Sequence, residues 1–172
     1  IVRLRLSEIA AREGRYRDAR KQAHAAADLV QEMRRYEVLP FVRVRLLAFD
    51  DRDGVRDLIL GADWSTPAVI AQSAVLSQHL WLIDEFEPSL RLLDAARIRT
   101  QPHPLLEYSR ANALRYSGKL DEATAALERA IELSPNDAYA HWTLAYHAKA
   151  QPLGSRLSRV RAALDANAHD PL

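Results

Sequence analysis

A period of 34 residues runs through this chain. Leu80 and Leu114, Phe86 and Leu120, Leu93 and Leu127, Ala96 and Ala130, and Ala111 and Ala145 each stand 34 positions apart. Near the start, Gly14, Tyr16, Ala19, Ala23 and Ala26 repeat the spacing of Gly118, Leu120, Ala123, Leu127 and Ala130. A fixed period of this length means supersecondary units that cannot bury their apolar faces alone and stack on their neighbours, rather than one closed globule.

Each unit reads as two helices. In the clearest, Pro104 sits at a first helical position, where its missing N–H costs nothing, and the helix is predicted to run to about Ser117. Gly118 can take the left-handed conformation that ends it. A second helix is predicted from Leu120, with Asp121 and Glu122 in a first turn whose dipole favours acids. Leu120, Ala123, Leu127, Ala130 and Ile131 make one apolar stripe at i, i+3/i+4 spacing. Ser134-Pro135-Asn136-Asp137 then breaks the helix and caps the next.

This pattern resembles the tetratricopeptide repeat. Small residues at Ala111, Ala123 and Ala130 let helix backbones approach, Gly118 permits the inner reversal, and a Pro marks the outer turn. The resemblance implies an all-α, right-handed superhelical solenoid of about five antiparallel helix pairs. The units fall at about 1–35, 36–69, 70–103, 104–137 and 138–172, as one domain. Unit two departs from the pattern, with Arg43 where a small residue belongs and Asp50 where Gly belongs. Unit four carries Glu107 and Arg110 at apolar sites. The chain begins at Ile1 rather than Met and closes on Asp170-Pro171-Leu172, so a longer parent chain is expected.

Several chemistries are excluded. Cys is absent, so there is no disulfide framework and no thiolate. No nucleophile elbow and no phosphate-binding glycine loop occurs. Phe49-Asp50-Asp51-Arg52-Asp53-Gly54 begins like a calcium loop, yet Phe49 stands where the first ligand belongs and Leu60 where the closing Glu belongs, so a polar interhelix turn is expected. His141 and His147 are about 240° apart on a helix, so they cannot share one metal. No cofactor and no enzymatic activity are expected of these residues. Net charge +1 with 27% charged residues gives no pull towards nucleic acid or membrane. Residues 1–62 hold 13 basic and 10 acidic side chains, interleaved for i, i+4 pairing on a solvated face.

What remains is binding. In repeats similar to these, ligands meet the concave face lined by the first helices. Carried onto this sequence, that face presents Ala71, Ala74, Gln78 and Trp81 from unit three, Leu105, Tyr108, Asn112 and Arg115 from unit four, and Tyr139, Trp142, Tyr146 and Lys149 from unit five. Tyr139, Trp142 and Tyr146 follow i, i+3, i+7 spacing and share one helix face. Aromatic and basic residues together are what interfaces favour. Two readings of Trp142 stay open: it faces the groove, or it packs against a neighbouring unit. A carboxylate clamp of the kind some such repeats use is not expected, since Tyr108 and Thr143 replace its Lys and Asn and only Asn112 fits.

The expected function is a scaffold that binds a peptide or partner domain. An alternative comes from residues 138–172. Their Ala-His-Trp-x-Leu-Ala helix and Arg-Leu-rich second helix resemble the last repeats of bacterial proteins that continue into a sulfotransferase domain. The repeats would then select the acceptor for catalysis further along. Ile1, Leu4 and Leu6 form an apolar N-terminal edge, from which self-association is expected. Arg in place of Lys and abundant Ala suggest a bacterial source, and the lack of a long apolar run points to the cytoplasm.

Overall fold

A computed structural model describes residues 1–147 together with Ser158, Arg161, Ala162, Leu164 and Asp165. All regular elements among these residues are helical. The chain divides into two compact units, Ile1–Gln72 and Ser73–Leu172.

In the first unit α1 (Val2–Arg12) pairs with α2 (Tyr16–Glu32), and α3 (Leu39–Leu47) with α4 (Arg52–Leu60); a 3-10 turn (Tyr36–Val38) leads into α3, and a short α5 (Pro67–Ile70) follows. α2 buries Ala19, Ala23, Ala26 and Val30, the 3.6-residue stripe expected of a half-buried helix. Leu39, Leu46, Leu58 and Ile59 are fully buried, each stabilising the unit by about 1.5–3 kcal/mol relative to exposure. Ser7 lets α1 and α2 meet closely, and its hydroxyl donates to the Ala19 carbonyl at 2.7 Å. Arg45 of α3 ties onto the same residue, donating to Ser7 Oγ at 2.8 Å and to the Ser7 carbonyl at 2.6 Å. Gln31 reaches across from α2 to donate to the terminal carbonyls of α4, at Asp57 (3.0 Å) and Leu58 (3.3 Å).

The second unit contains α6 (Ser73–Trp81), α7 (Phe86–Arg97), α8 (Pro104–Tyr116), α9 (Leu120–Leu133) and α10 (Ala138–His147). Ala111, Ala113, Ala123 and Ala126 alternate with Leu114, Leu127 and Leu144 in one core. α8 starts at Pro104 as predicted, with His103 Nδ1 accepting from the Leu105 N–H at 3.2 Å. Asp137 caps α10 by accepting from the Ala140 N–H at 3.0 Å.

The inner turns of four helix pairs have one geometry. Gly14, Asp50, Asp84 and Gly118 all hold positive φ, at 74°, 51°, 65° and 80°. After each comes a residue near φ −85°, ψ 65° that opens the next helix. Its N–H reaches back five residues: Arg15 to Ala10, Asp51 to Leu46, Glu85 to Leu80 and Lys119 to Leu114, at 2.8–3.1 Å. This is the Schellman closure, which satisfies carbonyls that a helix end leaves bare. Asp50, a departure from the sequence pattern, departs in chemistry only; Asp tolerates the left-handed region better than most residues.

One placement needs correction. The period puts Ala71 on the first helix of unit three, but that helix is interrupted. The Gln72 side-chain amide donates to the Ala68 carbonyl at 2.6 Å, taking the acceptor that a continuing helix would need, while the Gln72 N–H turns to Val69. Ala71 therefore lies before α6. Glu107, at an apolar site of the pattern, is indeed buried, and its charge is met by Arg97 Nε at 2.8 Å with Arg129 Nε 3.9 Å away. Most of the second helix expected in the last unit lies outside the described residues.

Candidate partner-binding surface

The predicted site residues that the structure describes from α6 onward belong to the second unit, and the helices present them in three groups. On α10 the buried side is Ala140, His141, Thr143 and Leu144, with the His141 ring against the Pro135 carbonyl at 2.8 Å. The opposite side carries Tyr139, Trp142 and Tyr146, which are 62%, 58% and 74% exposed. Trp142 and Tyr146 stack at 5.7 Å with their planes 18° apart. Trp142 is thus not packed away by any described helix. The i, i+3, i+7 spacing produces this face because three and seven residues return to nearly the same side of a helix.

The second group sits at the ends of α6 and α8. Trp81 is half-buried against the core and stacks on Tyr116 at 4.5 Å, and the Arg115 guanidinium lies 4.9 Å above the Tyr116 ring. This cation–aromatic sandwich holds the charge in place while leaving it solvated at its edge. The third group is Tyr108, half-buried, whose hydroxyl lies 3.3 Å from Thr143 Oγ1 and so links α8 to α10. Asn112 lies half-buried one turn further along α8. Lys149 lies outside the described residues.

Trp81 and Tyr108 therefore share their rings between core and surface, whereas Tyr139, Trp142 and Tyr146 present theirs to solvent. Tyr116 escaped the sequence pattern. The period pairs Trp81 with Arg115, and the ring that Trp81 stacks on stands one residue later. A separate polar cleft of about 380 Å³ lies beside α7 and α8, lined in part by Arg97, His103, Glu107 and Arg129. Its two carboxylates, Asp94 and Glu107, are both already answered by Arg97. Among the described residues no cluster of three His, Cys, Asp or Glu could hold a metal ion, and no helix is long and apolar enough to cross a membrane.

An all-helical array of antiparallel pairs, closed by one repeated turn and bearing an exposed aromatic face, defines the class: a helical-repeat fold of the tetratricopeptide type. Residues 111–149 match the family model of the TPR repeat. Across nearly its whole length the chain superposes on solved structures of this type. A crystal structure of MamA shares 14% identity at a TM-score of 0.67, covering 99% of this chain and 94% of that one. MamA 41-end from Desulfovibrio magneticus RS-1 shares 15% at 0.66, covering 99% and 96%. TTC0263, a thermophilic TPR protein in Thermus thermophilus, shares 21% at 0.58, covering 98% and 91%. At these identities the likeness is one of fold. No curated protein matches the sequence.

Proposed function

We propose that the chain is a protein–protein interaction scaffold. It holds a peptide or partner domain on the helix faces that carry Trp81, Tyr108, Asn112, Arg115, Tyr139, Trp142 and Tyr146, and performs no chemistry itself. The observation that carries this reading is the trio on α10: three large aromatic side chains left to solvent on one helix face, two of them stacked. Exposing that much ring surface forgoes burial that a core position would gain, and such residues are the ones that dominate interface energetics.

The test is a pull-down from native lysate with the wild-type chain and with Tyr139→Ala/Trp142→Ala/Tyr146→Ala, both first shown to be folded by circular dichroism. A partner held by the wild type and lost by the folded variant supports the reading. A partner held equally by both removes α10 from the interface. Unfolding of the variant would mean that the rings stabilise the array.

A further inference from the structure

The first helix pair departs from the others at its outer turn. Gly14 and Asp50 stand 36 residues apart, whereas Asp50, Asp84 and Gly118 follow one another at 34. The added length shows between α2 and α3: α2 has 17 residues against 12 in α7 and 14 in α9, and a 3-10 turn precedes α3. The overhanging end of α2 carries Leu29, Val30 and Met33. Together with Leu4 of α1, Val38 of the turn and Val42 of α3, these side chains line a cleft of about 370 Å³. The stretch after α9, Ser134-Pro135-Asn136-Asp137, holds no Leu, Val or Met that could build the same lining.

The lining is apolar except for two cations, Arg3 and Arg35, and it contains no acid. Arg3 donates to the neutral side-chain oxygen of Gln22 at 2.9 Å, and Arg35 pairs with Glu37. The backbone fixes where Arg35 stands. Arg34 takes φ 50°, and the Arg35 N–H closes on the Val30 carbonyl at 3.0 Å. Arginine enters the left-handed region only at a steric cost that Gly avoids, so this turn holds Arg35 at the cleft with local strain. Met33 gives the wall an adaptable, polarisable side chain. An apolar pocket with a few placed polar groups is the makeup of a small-molecule site, and this volume lies near the low end of the usual range of about 300–1,000 Å³.

We propose that this cleft binds a free fatty-acid anion of medium chain length, its alkyl chain against Leu29, Met33 and Val38 and its carboxylate at Arg3 and Arg35. Burial of the chain supplies the affinity. The guanidinium groups select a carboxylate over a neutral or cationic head, because their planar donors match its two oxygens. The site is separate from the aromatic face on α10, which belongs to the other compact unit.

Met33 is the single methionine of the chain, so an isotope-labelled methionine methyl gives one NMR signal from the cleft itself. The full chain is titrated with decanoate, hexanoate, decanol and decyltrimethylammonium, each below its micelle concentration. Decanoate is expected to shift the Met33 signal saturably. Hexanoate should bind more weakly, by up to about fourfold per methylene lost, and decyltrimethylammonium at least about tenfold more weakly than decanoate. Arg3→Gln/Arg35→Gln should weaken decanoate at least about tenfold and leave decanol unchanged. Leu29→Asp should abolish the binding of both, and the arginine variant keeps the test in force should Leu29→Asp lose its helical circular dichroism. A Met33 signal that decanoate does not move saturably, equal binding of decanoate and the cationic amphiphile, or unchanged decanoate affinity in the arginine variant overturns the proposal. So does a Met33 shift that follows protein concentration alone, since a second copy would then fill the cleft.

Discussion

The pairs α3/α4 and α8/α9 solve one problem with different residues. Both close through a left-handed residue followed by the same reaching-back N–H, from Asp51 to Leu46 at 3.1 Å in one and from Lys119 to Leu114 at 2.9 Å in the other. In α8/α9 the turn residue is Gly118, and Ala111 and Ala123 keep the helices close. In α3/α4 the turn residue is Asp50, and half-buried Arg43 stands where Ala111 does, its pKa lowered by burial. The backbone turn is the common physical solution within this chain, and the side chains along the seam are free to vary if their charge is met. Glu107 makes the same point from the regular pair: an acid at an apolar site, kept there by Arg97.

The comparison breaks most visibly in the cores. Leu46 and Leu114 are 0% and 1% exposed, so each changed to Ala should cost about 2–5 kcal/mol, read from urea or thermal unfolding. A much smaller loss for Leu46→Ala would show that α3/α4 is loosely held despite its shared turn. Glu107→Gln should cost about 1–3 kcal/mol, because Arg97 loses its charged partner and a buried group is left weakly paired. The loss should sit low in that range, since Arg97 is about a third exposed and retains Asp94 at 3.4 Å.

The turns sharpen it. Gly118→Ala forces a Cβ into the left-handed region and should destabilise by about 1–2 kcal/mol. Asp50→Gly and Asp84→Gly relieve the same strain and should be neutral or stabilising by up to about 1 kcal/mol, the Gly gain being offset by greater unfolded-state freedom. If Asp50→Gly were destabilising by more than that, the Asp side chain would have a role beyond occupying the turn. The smallest effect is at the surface. Glu8 is held below the usual carboxylate range by Arg5, so it favours the folded state at pH above that range, and the contribution disappears as pH falls through its lowered value. An NMR titration of the Glu8 carboxyl should show a depressed midpoint that rises with added salt.

Much of this fold is legible in spacing, because the period reports on residues that must be small, apolar or left-handed. Gly14, Gly118, Pro104 and the Ala123, Leu127 and Ala130 part of the α9 stripe fall into place that way, whereas Leu120, expected in that stripe, is exposed. Spacing fails where a local bond overrides the pattern, as at Gln72, whose amide captures the Ala68 carbonyl. It also fails where the partner lies elsewhere in the chain: Glu107 stands out as a departure, yet nothing in its neighbourhood names Arg97 or Arg129. On the surface, spacing alone puts Tyr139, Trp142 and Tyr146 on one face.

The four shared turns also bear on how the chain folds. Each closure bond joins residues only five apart, so each hairpin can form from its own stretch of chain without waiting for distant contacts. Folds built from such local pairings fold quickly, and any hairpin can serve as the nucleus. The amides of Arg15, Asp51, Glu85 and Lys119 are therefore four internal clocks. Their hydrogen-exchange rates report, hairpin by hairpin, which pair opens first when the array begins to come apart.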